Sequence, residues 1–303
     1  MRRQSRGGAR RATFLHLEKH FRLFTFPRKS LNDSFAYIVN ISHLESANYQ
    51  TTMKLRPFLV LALLSTSAAF AADAPKPPTI PSKTVAVKKE LLFEDNMEGT
   101  THDKRWHKVV DTFTFENGML KGTQTRDKEM PSKDGKSVIT AHAAVYGLEL
   151  PTKDSVVEVK IKFEGNTKMD VEFDDRKYTG SHYGHLCRAI VSLTSITIVD
   201  ERDGSQNEAI KELRKDPAKK AEADKMMVGK SATFPITLEP HKWYTYVVET
   251  VGDEMRASID GKPVGYLKSA GIGHPTKSKI ELGVSGKDGF FKDIKVWNAE
   301  AAK

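Results

Sequence analysis

The sequence predicts an all-β fold, a two-sheet antiparallel jelly-roll sandwich with a short helical insertion. From Leu91 onward, short alternating runs of apolar and polar residues are separated by turn sequences such as Asn117-Gly118 and Asp260-Gly261, which is typical of sandwiches built from hairpins. The only cysteine, Cys187, lies in an apolar run and is expected to be a buried small hydrophobe. Because no intrachain disulfide can form, stability must come from a hydrophobic core. Residues 205–228, rich in Ala, Glu and Lys, depart from the strand pattern.

The segment before the predicted sandwich indicates export. Residues 53–71 read MKLRPFLVLALLSTSAAFA, and they combine a basic start, an apolar run and an Ala-x-Ala motif, as in a secretory signal peptide. The apolar run is too short to cross a bilayer. We therefore expect an exported protein that has no membrane span once the signal is cleaved.

The first 52 residues are interpreted as a disordered extension, the result of a start chosen in error upstream of Met53. The alternative is a genuine basic extension before an uncleaved anchor. These residues hold nine Lys or Arg and three Asp or Glu, and with Lys54 and Arg56 they account for eight of the nine net positive charges. The remainder is nearly neutral, which gives no support for nucleic-acid binding.

The remaining chain divides into a linker and one domain. Residues 72–89 contain four prolines, which predicts an extended linker, and residues 90–298 are predicted to form the sandwich. The predicted strands lie near 91–95, 108–116, 119–125, 137–141, 144–150, 155–164, 168–175, 186–193, 195–201, 232–238, 242–251, 254–260, 263–268, 278–285 and 289–297.

The insertion at 205–228 is predicted to contain two short helices. Asp216-Pro217 supplies an N-cap residue followed by proline at the first helical position, so a helix is expected to begin there. The insertion can pack on the edge of the sandwich, or it can act as a lid over a groove.

The C-terminal part of the chain carries the most recognisable pattern. A strand opens with Trp243-Tyr244, a hairpin turns at Asp260-Gly261, and further strands contain Gly283 and Phe291–Val296. With Phe93-Glu94-Asp95 and Trp106 near the start, this resembles the concanavalin A-like lectin/glucanase superfamily. Within it, the chain most resembles the 3-keto-disaccharide hydrolase (glycoside hydrolase sixteen-like) domains of exported bacterial proteins. The resemblance implies a concanavalin A-like sandwich, a carbohydrate ligand and a bacterial periplasmic or extracellular location, but it supplies no catalytic residue.

An acidic strand is the first candidate for catalysis. In KMDVEFDD, Asp170, Glu172 and Asp174 alternate and so point to one face of a strand. Family sixteen glucanases carry Glu-x-Asp-x-Glu in such a strand, with the outer two residues as nucleophile and acid/base. Aligning the end of that motif with Asp170 and Glu172 places Lys168 at the nucleophile's position, so the standard catalytic motif is absent.

The neighbouring sequence predicts a structural explanation for the same carboxylates. If 155–164 and 168–175 form a hairpin that keeps their apolar faces together, Lys162 faces Asp170 and Lys160 faces Glu172. Such cross-strand pairs are ordinary sheet chemistry. Pairing of this kind would exclude catalysis, whereas a groove with an exposed aromatic ring and no lysine within reach would favour a carbohydrate site.

The loop after the acidic strand is the predicted ligand-binding segment. Residues 174–188 are dense in aromatic rings, which stack on sugar faces, and in groups that hydrogen-bond hydroxyls. His182 and His185 resemble half of a metal site but lack a third ligand at diagnostic spacing. The predicted ligand-binding residues are Arg176, Tyr178, His182, Tyr183, His185 and Arg188, with Trp106 as a possible exposed sugar platform beside them.

A structural calcium ion is a further expectation, because oxygen donors occur near the predicted first and last strands. The candidate donors are Glu94, Asp95 and Asp293, with Asn96 beside them; no other cofactor is expected.

Taken together, these features predict an exported carbohydrate-recognition or glycan-processing module. The alternatives are a non-enzymatic protein-interaction or structural envelope domain, and a glycosidic-bond hydrolase that uses a non-standard acid pair. Whether the chain is an enzyme, which sugar it binds and its oligomeric state stay open at this point.

Overall fold

The computed structural model describes residues 76–99, 102–110 and 112–303. The predicted signal peptide, the extension before it and the first residues of the predicted linker lie outside the described residues. Fifteen strands are found in the described part of the chain: β1 (Ala86–Asp95), β2 (Trp106–Lys108), β3 (Phe113–Glu116), β4 (Met119–Gly122), β5 (Met130–Pro131), β6 (Val138–Ile139), β7 (Ala144–Thr152), β8 (Ser155–Asp174), β9 (His185–Val191), β10 (Ser195–Asp200), β11 (Ser231–Pro235), β12 (Trp243–Val251), β13 (Glu254–Ile259), β14 (Lys262–Lys268) and β15 (Lys277–Ala301).

Two long strands, β8 and β15, run antiparallel through both layers of the sandwich. In one layer the order is β1, β15, β8, β12, β13, β14, and in the other it is β2, β7, β15, β8, β9, β10, β11. The β3–β4 hairpin pairs with the middle of β15. The predicted two-sheet antiparallel sandwich is thus confirmed.

Both long strands are irregular at the same level, where they pass from one layer to the other. Gly165 and Gly286 have φ values of +103° and +91°, which glycine adopts at no steric cost. Each lies at a register shift of the β8–β15 ladder. The Asn166 side chain accepts from the Glu164 amide at 3.1 Å and so satisfies a backbone donor there. A local bulge therefore takes the place of the predicted break between strands.

The core lies between the two layers. Alternate residues of β8 from Val157 to Phe163, and again from Met169 to Phe173, are fully buried. This is the face that the sequence alternation predicts. Cys187, also on this side, is fully buried, and burial raises the pKa of its thiol to about 12, so the thiolate that reacts is scarce near neutral pH.

The predicted hairpin between 155–164 and 168–175 is wrong, because these segments are one continuous strand. Lys160 pairs instead with Asp293 at 2.8 Å, and Lys162 pairs with Glu164 at 2.8 Å. The neighbours of the acidic segment are β9 on one side and β15 on the other. Alternation fixes the face that a side chain occupies, but it does not fix which strand lies next to it.

The insertion between β10 and β11 contains two helices, α1 (Glu208–Arg214) and α2 (Lys220–Met226). A 3₁₀ turn precedes α2, and its Asp216 cap accepts from the Ala218 amide at 2.9 Å, as the Asp-Pro pair predicts. Two backbone hydrogen bonds tie the insertion to the 175–184 loop, from His182 to Gln206 and from Glu208 to Gly180. No helix in the described part of the chain is long and apolar enough to cross a membrane.

Candidate functional site

Charged side chains form a cluster on the face of β8 that points away from the core. Asp170, Glu172 and Asp174 alternate along this face, with side chains 13%, 6% and 0% exposed. The flanking strands and the residue after β10 supply partners of both signs. We call the group the acid–base cluster; it comprises Asp170, Glu172, Asp174, His185, Arg188, Glu201, Lys279 and Glu281.

Two carboxylates converge on one imidazole nitrogen in this cluster. His185 Nδ1 lies 2.6 Å from Glu172 Oε1 and 3.0 Å from Asp174 Oδ1. Burial alone would lower the pKa of His185, but the two carboxylates outweigh it and raise the pKa to about 11. The imidazole is therefore charged at neutral pH when no other cation is present.

Arg188 links the remaining acids of the cluster. Its Nη2 lies 2.8 Å from Glu201 Oε1, and its Nη1 lies 3.5 Å from Glu172 Oε2 and 3.6 Å from Asp170 Oδ2. On the other side of β8, Lys279 Nζ lies 2.9 Å from Asp174 Oδ2 and also contacts Glu281. No lysine among the described residues pairs with Asp170 or Glu172.

The cluster holds five carboxyl groups and three cationic groups. Because acids are in excess and largely buried, the pKa of several of them is raised. Burial raises the pKa of Asp170 to about 6 although Arg188 opposes it, and burial with nearby carboxylates raises that of Glu281 to about 7. Burial and the neighbouring Glu172 also raise the pKa of Glu201 well above its usual value. Glu172 is the exception: burial alone would raise its pKa, but His185 and Arg188 outweigh it and lower the pKa to about 2.

Two glycines leave room on this face for larger neighbours. A Cβ at Gly283 would lie 1.7 Å from Asp170 Oδ1, and one at Gly147 would lie 2.3 Å from the His107 ring. Both glycines occupy the ladder beside the cluster. Their lack of a side chain therefore lets Asp170 and His107 lie across the sheet.

The loop between β8 and β9 presents one aromatic ring to solvent. Tyr183 is 80% exposed and has a φ of +50°, a conformation that costs a non-glycine residue free energy. Its ring centroid lies 4.3 Å from that of His182 and 6.5 Å from that of His185. The next residue, Gly184, has no space for a Cβ, which would meet the Asp175 carbonyl oxygen at 2.0 Å. The turn thus holds Tyr183 outward beside the acid–base cluster.

The structure brings together some of the predicted ligand-binding residues and separates others. His182, Tyr183, His185 and Arg188 lie in or beside the cluster, with His182 3.5 Å from Glu208 of α1. Arg176 turns to β7, where it pairs with Glu149 and lies 3.0 Å from His107 Nε2. Tyr178 packs against His274, with ring centroids 4.8 Å apart.

Trp106 is not the exposed platform that the sequence suggested. It is 7% exposed, it stacks on Tyr146 with centroids 5.2 Å apart, and its Nε1 donates to Asp95 Oδ2 at 2.8 Å. Its ring belongs to the core, whereas Lys104 is exposed and His102, Arg105 and His107 are half-buried.

The predicted calcium donors line an open cavity of about 260 Å³ at the opposite layer. Glu94 is 2.7 Å from Lys295, Asp293 is 2.8 Å from Lys160, and Asp95 accepts from Trp106. A calcium ion there would have to displace Lys295 from Glu94 and Lys160 from Asp293. A calcium site at these residues stays a prediction.

Sequence reasoning missed Glu201, Lys279 and Glu281. Lys279 and Glu281 alternate in a predicted strand, and Glu201 ends another, so their positions on strands were visible. Lys279 and Glu281 come close to the acidic strand because β15 pairs with β8, and Glu201 does so because β10 pairs with β9, which pairs with β8. These pairings are long-range properties.

Comparison with known proteins gives structural likenesses only. No family model matches the chain, and no curated protein matches it. Similar solved structures include a carbohydrate-binding module from Bacillus subtilis (14% identity, 66% of this chain and 96% of that one, TM-score 0.40). Others are porphyranase B from Zobellia galactanivorans (12%, 75% and 99%, 0.46) and the laminarinase catalytic domain of Thermotoga maritima (12%, 69% and 98%, 0.46). Likenesses at these identities and TM-scores assign no ligand or reaction to this chain.

Proposed function

We propose that the chain is a carbohydrate-recognition module whose ligand binds at the solvent-facing rim of the acid–base cluster. The observation that carries this proposal is the exposed Tyr183 ring, which a strained turn holds beside charged side chains. Aromatic faces pack on the apolar faces of sugars, and charged groups make strong hydrogen bonds to hydroxyls. Tyr183 would supply the stacking surface, and Asp170, His185 and Arg188 the polar contacts.

The burial of the individual acids favours ligand binding over catalysis as the function of this site. Glu172 and Glu201 are almost fully buried, so a substrate cannot reach them without rearrangement of the cluster. Their role in this proposal is to fix His185 and Arg188, which are partly exposed, in one orientation. A preorganised polar rim binds a ligand at lower entropic cost than a mobile one.

Hydrolysis of a glycosidic bond is the second candidate function. Asp170 is a partly exposed carboxyl group on the same strand face as Glu172, which provides a pair of acids outside the standard motif. The resemblance to 3-keto-disaccharide hydrolases belongs to this second proposal. Export to the periplasm or the cell exterior is likewise proposed, because residues 53–71 have the pattern of a secretory signal peptide.

A glycan array probed with the full chain tests binding, and a product assay on each bound glycan tests hydrolysis. We expect at least one glycan to bind, and Tyr183→Ala to lose that binding. The control is Val138→Ala, because Val138 is also an exposed apolar residue (61%) but lies in the separate β5–β6 hairpin. No bound glycan at high ligand concentration, or equal loss in both variants, would contradict the proposal and favour a protein-interaction domain.

A further inference from the structure

We infer that Glu172, Asp174 and His185 form a binding site for one divalent transition-metal ion, with Glu201 available as a fourth ligand. The site does not depend on the proposed carbohydrate ligand. It rests on three observations: the convergence of three donor atoms, carboxylate oxygens that lack hydrogen bonds, and the arrangement of the surrounding cations.

The three donors are close enough to share one ion. One ligand atom from each of Glu172, Asp174 and His185 lies within 4.8 Å of the others. One imidazole nitrogen and two carboxylate oxygens suit Zn²⁺ or Mn²⁺. With metal–ligand bonds of about 2.0–2.2 Å in a tetrahedral site, neighbouring ligand atoms lie roughly 3.3–3.6 Å apart. The separations of 2.6 Å and 3.0 Å between His185 Nδ1 and the two oxygens are shorter than that, so the three donors would move apart when an ion replaces the proton between them.

The Glu201 carboxyl group, fully buried beside the three donors, is the second observation that points to a cation at this site. Both carboxyl oxygens of Glu201 are buried without a hydrogen bond of good geometry, as are Glu172 Oε1 and Asp174 Oδ2. Glu201 is completely buried, its contact to Arg188 meets only the distance criterion of an ion pair, and its carboxyl group faces Glu172. Because unsatisfied buried carboxyl groups are costly, a cation beside them would stabilise this arrangement.

The cations of the cluster divide the oxygens of each carboxylate ligand between His185 and a second cation. Glu172 points Oε2 toward Arg188 and Oε1 toward His185. Asp174 points Oδ2 toward Lys279 and Oδ1 toward His185. The ion would therefore replace the proton on His185 Nδ1, while Arg188 and Lys279 would continue to orient the two carboxylates from outside, as supporting residues do around metal ligands.

The charge count of the cluster agrees with this arrangement. Five carboxyl groups share this part of the sheet with only three cationic groups, Arg188, Lys279 and His185. A divalent ion would place a compact positive charge at the point where the Glu172 and Asp174 oxygens converge. A buried metal ion is often the largest local charge in a site and sets the ionisation of its neighbours.

Calorimetric titration of the metal-stripped full chain with ZnCl₂, and separately with MnCl₂, tests the inference. We expect a single saturable site in the wild type, and affinity reduced by roughly tenfold or more in His185→Ala and Glu172→Gln. The matched control is His241→Ala, because His241 Nδ1 also lies 2.5 Å from a carboxylate, Glu164, but without a second one. That variant should keep wild-type affinity.

A thermal melt with and without metal gives the second readout. Metal that binds the folded state should raise the melting temperature of the wild type and of His241→Ala, and it should not raise that of His185→Ala. If Glu172→Gln is unfolded by circular dichroism, Asp174→Asn takes its place. No saturable binding in the wild type, unchanged affinity in His185→Ala, or equal loss in His241→Ala would overturn the inference. Because no glycan is present, these results are independent of the carbohydrate proposal.

Discussion

Single residues decide where the polar side chains of the acid–base cluster lie. Gly283 is the clearest case, because the Asp170 carboxylate occupies the space where a Cβ would be. The position of Asp170 on the exposed rim therefore depends on a residue that has no side chain of its own. A sequence pattern of alternating acids cannot show this, because Gly283 is distant along the chain.

Gly283→Ala is predicted to displace Asp170 and to weaken glycan binding. The added methyl group would lie 1.7 Å from Asp170 Oδ1, so the carboxylate must turn away, and we expect a stability loss of about 1–3 kcal/mol from overpacking. Binding to the best array glycan and a denaturant melt measure the two effects. Gly265→Ala is the control, because its Cβ would meet only Ile196 and Ile198 side chains, the nearest at 3.3 Å. Wild-type binding by Gly283→Ala would contradict the role given to Asp170.

Tyr246→Phe is predicted to stabilise the fold. The Tyr246 hydroxyl is buried in the core without a hydrogen-bond partner, so its removal should raise the free energy of unfolding by about 1 kcal/mol. Tyr244→Phe is the matched control: the Tyr244 hydroxyl accepts from the Glu239 amide at 2.7 Å, and its loss should lower the free energy of unfolding by a similar amount. Urea denaturation of both variants checks the sign, and destabilisation by Tyr246→Phe would refute the assignment of an orphaned hydroxyl.

At the scale of elements, the alternation of β8 predicted its buried face but not its neighbours. Met169, Val171 and Phe173 are buried as the period of two requires, and the hairpin turns at Asn117-Gly118 and Asp260-Gly261 occur where glycine chemistry predicts them. The partners of Glu172 come from β9 and β15, and no local signal encodes that pairing. The candidate site was therefore only partly predictable. Sequence alone identified the acids of β8 and the loop with His185 and Arg188, whereas Glu201, Lys279 and Glu281 join them only through the sheet topology.

The bulge shared by β8 and β15 gives a prediction at this scale. Gly165 and Gly286 both have positive φ, but a Cβ at Gly165 meets only Lys287 at 3.5 Å, whereas one at Gly286 meets the Thr167 amide nitrogen at 3.0 Å. Gly165→Ala should lower the free energy of unfolding by about 1 kcal/mol, because alanine is unfavourable at a positive φ. Gly286→Ala should cost more, because a backbone contact is added. Guanidinium denaturation measures the loss of stability in each variant. An equal or smaller loss in Gly286→Ala would contradict the predicted effect of the added backbone contact.

At the scale of the whole molecule, charges are buried on both layers. Arg256 and Glu249 form a nearly inaccessible pair at 2.5 Å. Glu249 also accepts from the Val85 amide, and Arg256 donates to the Pro81 carbonyl. This pair anchors the end of the predicted linker to the sandwich. The linker is thus ordered from about Pro81 onward by contacts that its proline content does not reveal.

Lys277→Met is predicted to raise global stability, with an effect that shrinks at high pH. Lys277 is fully buried, its ammonium donates to backbone carbonyls of Lys153 and His274, and burial lowers its pKa below 10.5. Between that lowered pKa and 10.5 the unfolded chain holds more protons, so wild-type stability rises with pH across this interval. The advantage of Lys277→Met should fall over the same interval, because the cost of burying the ammonium disappears as the folded group loses its proton.

Denaturant melts at stepped pH check this dependence. Lys230→Met is the control, because Lys230 lies 3.4 Å from the buried Asp200 carboxylate and its loss should destabilise the fold. If the free energy of unfolding of Lys277→Met relative to the wild type increased with pH, the lowered pKa of the buried Lys277 ammonium would be contradicted.

The central claim is that the rim around Tyr183 is the ligand-binding surface of the molecule. Hydrogen–deuterium exchange of the full chain, with and without the glycan that binds best on the array, tests it most directly. We predict that the ligand slows exchange in the 175–191 segment, which carries Tyr183, His185 and Arg188. Slowed exchange confined to the cavity beside Asp293, or no change with any glycan, would contradict it.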